Sequence, residues 1–283
     1  MDRIKSNRIV VFVRTMVQQY FKNGVGRTAA ELAYFLLFAI FPILIFFNAI
    51  IGSLNLSVDR VARFLGRLLP AAANDIIVSY LEYLNSIDTS AFVWIGVVLS
   101  IYSIFRVVSS IFHAINMNYP TKQKNTLRNI IYTVLFAVAL IVTVVLSIAL
   151  IVTGDWFIDW IGRIVNFEPL LKTLWRFLRI FIMASLFFFT MLIAYWLAPN
   201  KRNRLRDAMW GTVFAMAGMT LITWLFSFYV DNLSNFSLLY GSLGTVLIFM
   251  LWLYLLGTIM VLGGEMNFVI KQLTEEMKKK KEN

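Results

Sequence analysis

The chain is poor in the side chains on which most enzymes and metal sites depend. Its 283 residues include no cysteine and one histidine, His113. Thiol catalysis, disulfide bonds and clustered thiolate or imidazole metal ligands are therefore excluded. The Walker loop, the dinucleotide-binding fingerprint and the HExxH motif are absent from the sequence as well. We therefore expect a protein that is not an enzyme and that uses no cofactor and no metal.

Charged residues are scarce too. They make up 14% of the chain, whereas soluble domains carry about 25%. Hydrophobic residues account for 60%, and the mean hydropathy is +0.76. Several uncharged runs approach the roughly 20 residues that an α-helix needs to cross a bilayer. The composition therefore predicts an all-α integral membrane protein, with a single membrane domain over residues 1–283.

Six apolar segments carry the predicted architecture, a bundle of six transmembrane helices. Residues 1–30 are basic and place apolar side chains at helical spacing, which predicts an amphipathic helix on the cytosolic membrane surface; a helix packed on the bundle fits the same pattern. Residues 53–91 predict short extracytosolic amphipathic helices, residues 154–175 a second outer loop, and residues 271–283 a basic cytosolic tail. The predicted spans cover about 31–52, 92–113, 130–153, 176–198, 208–230 and 243–270.

Lysine and arginine are distributed unevenly over the predicted loops. Six spans place both termini on one side, and the segments on that side hold 18 of the 26 basic residues, against five in the opposite loops. Positive residues concentrate on the cytosolic side of membrane proteins. The sequence therefore predicts cytosolic N and C termini, with the lipid bilayer as the main partner. The same distribution accounts for the net charge of +11 without a nucleic-acid partner.

A few polar residues lie within or beside the spans, mostly in their cytosolic halves. Such groups face a bundle interior or an aqueous cavity and usually pair with one another. We expect a polar cavity open to the cytosol, in which Arg106 pairs with Glu31 or Glu265 and binds anionic lipid headgroups. A static ion-pair lock between helices is the competing interpretation. The candidate cavity residues are Arg27, Glu31, Arg106, His113, Asp207, Glu265 and Asn267.

Three further residues are candidates for helix packing or hinge motion. Pro42 removes a backbone hydrogen bond in the middle of the first span and kinks the helix, as a structural feature or as a hinge. Gly263 and Gly264 allow close helix packing. A hinge beside Glu265 is the alternative role for these two glycines, and packing is favoured.

Three separated stretches resemble the YihY/BrkB family of membrane proteins, which was once mislabelled ribonuclease BN. They are AAELAYFLLFAIFP in the first span, LAPNKRNRLRDAMWGT between spans four and five, and YGSLGTVLIFMLWLYLLGTIMVLGGEMN in the sixth. The resemblance covers nearly the whole chain and implies a six-helix protein of the bacterial inner membrane, with roles in export or lipid transport. It supplies no catalytic residues, and Glu31 stands where many members carry alanine.

These observations predict a transporter, flippase or exporter of amphiphilic, anionic molecules such as lipids. The prediction depends on the inferred cationic cavity and on the amphipathic helices at both faces. One alternative is an ion-coupled transporter of a small solute that uses Glu265 or Glu31, and another is a membrane scaffold that transports nothing. A ribonuclease is disfavoured, because one histidine and no acidic metal cluster leave no chemistry for it. A homo-oligomer, the cargo and the direction of transport are left open.

Overall fold

The computed structural model describes residues 8–53, 71–85, 93–117, 126–162, 168–199, 204–233 and 242–282. Within these ranges the regular structure is entirely helical, which agrees with the predicted all-α class. The eight helices of the described residues are α1 (Arg8–Lys22), α2 (Val25–Ser53), α3 (Ala71–Asn85), α4 (Val93–Asn116), α5 (Thr126–Gly162), α6 (Glu168–Leu197), α7 (Leu205–Leu233) and α8 (Ser242–Glu282).

Four helices in the described part of the chain are long and apolar enough to cross a membrane. A helix suits a bilayer because it satisfies all of its backbone polar groups internally. These four helices lie where the third to sixth spans are predicted, and α2 and α4 lie where the first two are predicted. The four apolar stretches are Leu127–Ser147 in α5, Phe177–Leu197 in α6, Leu205–Val230 in α7 and Gly244–Glu276 in α8.

Several helices extend beyond the predicted boundaries. Helix α5 continues to Gly162 and α6 begins at Glu168, so most of the predicted outer loop is helical. Helix α8 continues to Glu282 through the predicted basic tail. Lysine, glutamate and glutamine favour helix, and Gln272 Nε2 donates to Glu276 Oε1 one turn away over 3.1 Å. The distribution of polar residues along the sequence therefore located the ends of the apolar spans but not the ends of the helices.

Helix α3 corresponds to the second of the short helices predicted between the first two spans. It packs against α2 and α8, and Ile77 is buried in this contact region. The first predicted short helix of that segment falls on 54–70, outside the described residues.

Helix α8 is the central element of the bundle. It packs against α2 and α7 and also contacts α1, α3 and α4. Helix α2 packs along α4, while α5 pairs with α6, which in turn contacts α7. The main hydrophobic core therefore draws on six helices, and its most deeply buried members include Leu32, Val108, Phe136, Ala194, Tyr195 and Ala215. A second cluster joins α7, α8 and α2 through Phe226, Phe249, Trp252 and Ala33.

The outer faces of the spans are apolar as well. Phe181 on α6 and Trp224 on α7 are examples, with 69% and 66% of their surface exposed on the isolated chain. Lipid tails cover such surface at no cost, so burial of apolar area adds little to helix association in a bilayer. Close backbone approach and interhelical hydrogen bonds matter more there. The places where these helices touch most closely are therefore the places to look for specific structure.

Candidate functional site

Glu265 lies inside the bundle, on α8, with 1% of its surface exposed. Asn23 Nδ2 donates a hydrogen bond to Glu265 Oε1 over 2.9 Å, although the two residues are 242 positions apart. Asn23 belongs to a two-residue turn between α1 and α2, in which Gly24 has φ of 59°. Glycine adopts this left-handed conformation readily because it has no Cβ. The turn redirects the chain and leaves Asn23 against α8.

Asn267 is buried two residues further along α8. Its Oδ1 accepts a hydrogen bond from the backbone N–H of Gly211 on α7 over 2.6 Å. A Cβ atom at Gly211 would overlap the carbonyl oxygen of Gly263 and would lie 2.5 Å from Asn267 Nδ2. The backbones of α7 and α8 are therefore in direct contact at this point. We refer to Asn23, Gly211, Glu265 and Asn267 as the inner cluster.

Gly263 and Gly264 lie in the same closely packed region. A Cβ atom at Gly263 would come within 2.5 Å of the Tyr195 hydroxyl on α6, and one at Gly264 within 3.2 Å of Ile115 Cγ1 on α4. The Tyr195 hydroxyl donates to the Met260 carbonyl oxygen over 2.6 Å. The two glycines thus let α4, α6 and α7 approach α8, a geometry of close packing. Pro42 lies in α2, which continues as a helix from Val25 to Ser53.

Arg106 occupies a different place, on the exposed side of α4. Its Cζ atom lies 4.7 Å from the centroid of the Phe35 ring on α2, a cation–π contact. One turn away, Ser110 Oγ donates to Glu31 Oε1 over 3.2 Å. In the part of the chain that the structure describes, Arg106 forms no ion pair with Glu31 or Glu265. The structure therefore differs from the predicted ion pair. Arg106 faces outward over Phe35 while Glu265 faces inward, and Glu31 accepts a hydrogen bond from Ser110.

The two contacts fix the register of α2 against α4. Phe35 contacts Arg106, and Glu31 contacts Ser110. Residue numbers therefore decrease along α2 as they increase along α4, so the two helices are antiparallel. One turn further on, this register brings Arg27 to the level of His113. Arg27 and His113 are exposed, as are Glu31 and Arg106. We call this group on the α2–α4 pair the outer seam. It consists of the exposed Arg27, Glu31, Arg106 and His113, with the partly buried Phe35 and the buried Ser110 that contact Arg106 and Glu31.

Asp207 belongs to neither group. Its Oδ2 accepts the backbone N–H of Arg204 over 3.2 Å, which satisfies a free donor at the start of α7. The same oxygen lies 3.9 Å from Lys271 Nζ on α8, and both side chains are partly exposed. The seven predicted cavity residues therefore do not share one cavity. Four lie on the outer seam, Glu265 and Asn267 lie in the inner cluster, and Asp207 caps a helix.

Several residues of these contacts are not among the sequence candidates, including Asn23, Phe35, Ser110, Tyr195 and Gly211. Asn23 precedes a glycine after a helical pattern, which signals a turn but not its partner. Gly211 and Tyr195 lie in apolar spans, and nothing near them in the sequence marks their contact with α8. Within the described ranges, no group of three aspartate, glutamate or histidine residues could hold a metal ion.

Comparison with known proteins places the chain among membrane proteins. The sequence model of a family described as "Virulence factor BrkB" matches residues 16–283. A protein of Bacillus subtilis (strain 168), named "Putative ribonuclease-like protein YfkH", is 29% identical over 269 residues, which cover 94% of this chain and 98% of that protein. No solved structure matches the chain.

Relatives named "UPF0761 membrane protein" match over most of the chain as well. The one from Pseudoalteromonas atlantica (strain T6c / ATCC BAA-1087) is 24% identical over 95% of this chain and 89% of its own length. The one from Pseudomonas aeruginosa (strain LESB58) is 26% identical over 90% of this chain and 61% of its own length. The names of these relatives describe membrane proteins and, in the Bacillus case, a likeness to ribonucleases.

Proposed function

Since the chain belongs to the BrkB family of membrane proteins, we propose that it is a transporter or flippase that moves amphiphilic, anionic molecules such as lipids across a bacterial inner membrane. In this proposal α2 and α4 complete a set of six spans. They contain 29 and 24 residues, and at about 1.5 Å per residue each reaches the roughly 30 Å of a hydrocarbon core. Both termini are then cytosolic, as the distribution of basic residues predicts.

Arg106 on the outer seam is the observation that supports this function best. A guanidinium group is a cation that offers hydrogen-bond donors and no acceptor. A charged group inside a membrane normally pairs with an acid or faces water. Arg106 instead lies on the exposed side of α4 over the Phe35 ring. A guanidinium group in that position offers two parallel N–H donors to a phosphate, a charge-assisted bidentate pairing.

The rest of the outer seam gives a headgroup a polar route toward the cytosolic end of the bundle. From Arg106, the next turn presents Glu31, which accepts a hydrogen bond from the buried Ser110, and the turn after that presents Arg27 and His113. In the proposed topology α4 runs inward, so this order leads from the span interior to the cytosolic boundary. A headgroup moves along these side chains while its acyl chains stay in the surrounding lipid. Such lateral access suits a lipid better than a small, wholly soluble solute.

A flip assay in liposomes tests this function. Purified protein is reconstituted with a headgroup-anionic fluorescent lipid, and the loss of signal to an external reductant is followed with and without an imposed proton gradient. We expect wild type to move the probe faster than protein-free liposomes. Arg106→Gln should slow this movement about tenfold, because a charge-assisted hydrogen bond contributes about 1.5–3 kcal/mol.

The matched control is Arg206→Gln, which removes an exposed arginine from α7, away from the outer seam. We expect this variant to retain the wild-type rate. Equal rates in Arg106→Gln and wild type would remove Arg106 from the site. Wild-type protein that moves no lipid under either condition would contradict the flippase function and favour an ion-coupled transporter of a small solute or a membrane scaffold.

Glu265 supports a second candidate, the ion-coupled transport of a small solute. A carboxyl group with 1% exposure, held by a neutral amide donor, is the kind of buried acid that binds and releases a proton during transport. In that case Glu265→Gln should abolish proton-driven uptake while Arg106→Gln leaves it intact. Under the flippase function, Arg106→Gln should slow lipid movement more than Glu265→Gln does. The two variants together therefore separate the two candidate functions.

A further inference from the structure

Helix α1 presents apolar side chains on two different sides. Val10, Val13, Val17 and Phe21 are exposed, with Phe21 at 75%, and their spacing of three or four residues places them in one stripe. Phe12, Met16 and Tyr20 on the same helix are partly buried, and Tyr20 packs against the main core. The apolar positions that the sequence assigns to one face are therefore divided between the bundle and the exterior.

Basic and polar side chains border the exposed stripe. Arg14, Gln18 and Lys22 are exposed and follow one another at intervals of four, so they form a parallel row beside the stripe. An apolar stripe next to a row with two cations is the pattern of a helix that lies in the interface of an anionic membrane. The apolar side chains enter the acyl boundary, while the long basic side chains reach the headgroups.

We propose that the exposed stripe of α1 inserts into the headgroup–acyl boundary of an anionic bilayer, and that this insertion holds Asn23 over Glu265. The site is a protein–lipid interface, and its partner is the anionic membrane surface itself. It is separate from the outer seam, which lies on α2 and α4.

The turn after α1 connects the membrane contact to the buried acid. Asn23 Nδ2 lies 3.3 Å from Gln19 Oε1 on α1 and 2.9 Å from Glu265 Oε1 on α8. The orientation of this amide is therefore set partly by α1. The chain leaves α1 through the left-handed Gly24, so α1 and α2 are separate helices, and the proposal includes a change in the angle between them. Movement of α1 away from the membrane withdraws Asn23 and opens Glu265 to water.

The absence of cysteine from the chain allows a direct test of the membrane contact. Single cysteines at Val17 and Phe21 on the stripe, and at Gln18 on the polar row, carry an environment-sensitive fluorophore in the full-length protein. In liposomes that contain phosphatidylglycerol, we expect labels at positions 17 and 21 to be quenched by lipid-attached nitroxide and shielded from aqueous iodide. The label at position 18 should show the opposite pattern. Equal iodide quenching at all three positions would overturn the proposal.

A second outcome identifies a different occupant of the stripe. If shielding at positions 17 and 21 increases with protein density and does not depend on phosphatidylglycerol, another copy of the chain covers the stripe, and the proposal of a membrane contact is wrong. Shielding that falls as phosphatidylglycerol is replaced by phosphatidylcholine supports the membrane.

A matched pair of substitutions tests the connection to Glu265. Val17→Glu and Gln18→Glu introduce the same charge one residue apart, the first on the stripe and the second on the polar row. Modification of Glu265 by a water-soluble carbodiimide, measured by peptide mass spectrometry, should rise about tenfold in Val17→Glu and in Asn23→Ala, and stay at the wild-type level in Gln18→Glu. Equal modification in Val17→Glu and Gln18→Glu would contradict the connection. Fluorophore quenching and carbodiimide modification are both measured without transport. A failure of this proposal can therefore be distinguished from a failure of the proposed function.

Discussion

Replacement of Gly211 by alanine examines the closest contact between two spans. The new methyl group would overlap the carbonyl oxygen of Gly263, which belongs to backbone and cannot rotate away. Helices α7 and α8 would have to separate, and the hydrogen bond of 2.6 Å from Gly211 to Asn267 would lengthen with them. The effect of this substitution therefore reports directly on the packing at the inner cluster.

The expected change in the free energy of unfolding combines two destabilising contributions and one stabilising contribution. Overpacking of a well-packed interior costs about 1–3 kcal/mol, and the weakened hydrogen bond adds about 0.5–1.5 kcal/mol. Alanine favours a helix interior over glycine by about 1 kcal/mol, which offsets part of the cost. The expected net loss is about 2 kcal/mol, or a fall in melting temperature of about 5 °C.

Gly218→Ala is the matched control on the same helix. A Cβ atom at Gly218 would lie 2.8 Å from Ile259 Cγ2, a methyl group on a β-branched side chain that prefers one χ1 rotamer in a helix. A shift of that side chain relieves the contact without separating two backbones, and the gain in helix propensity offsets part of its cost. We therefore expect Gly218→Ala to lose about 1 kcal/mol, less than Gly211→Ala. The assay is unfolding in a mild detergent, by heat and by added denaturing detergent. Equal stability of Gly211→Ala and Gly218→Ala would refute the direct backbone contact.

Two smaller predictions concern the neighbouring contacts. Tyr195→Phe removes the hydroxyl that donates to the Met260 carbonyl oxygen over 2.6 Å, and it should lower the free energy of unfolding in detergent by about 1 kcal/mol; an unchanged stability would show that this bond contributes nothing. Lys271→Gln removes a partly exposed partner of Asp207 at 3.9 Å, and it should cost less than about 1 kcal/mol, with the difference from wild type disappearing in high salt. A larger, salt-independent loss would contradict a weak surface pair.

The spans were predictable because a single property, uncharged length, sets them. The bilayer requires about 20 apolar residues for each crossing, and long apolar runs such as Gly244–Glu276 meet that requirement on their own. The position of Arg106 along α4 was also predictable, since the helix covers the predicted second span. The direction of its side chain was not predicted correctly. Arg106, Ser110 and His113 share one polar face of α4, and a polar face in a bilayer predicts a turn toward the bundle interior. In the structure Arg106 and His113 are exposed and Ser110 alone is buried.

The inner cluster shows the other limit of the sequence. Glu265 and Asn267 stand out as polar residues in an apolar run, and the adjacent glycine pair suggests close packing. Their partners do not stand out, since Asn23 and Gly211 come from distant helices. A contact across 242 residues depends on how helices pack in three dimensions, and local pattern does not encode it. The sequence therefore identified the groups that need partners but paired Arg106 with acids that it does not meet.

The preference of the reconstituted protein for an anionic over a zwitterionic lipid is the most direct test of the proposed function. The flip rates of fluorescent phosphatidylglycerol and phosphatidylcholine are compared in the same liposomes, for wild type and for Arg106→Gln. The phosphate of phosphatidylcholine has a positively charged choline beside it, whereas the phosphate of phosphatidylglycerol has no such partner. If the guanidinium group of Arg106 supplies that partner, wild type moves phosphatidylglycerol faster than phosphatidylcholine, and Arg106→Gln loses that preference. Wild type that moves both lipids equally, or an Arg106→Gln variant that keeps the full preference, would contradict the role of this arginine in recognising the cargo.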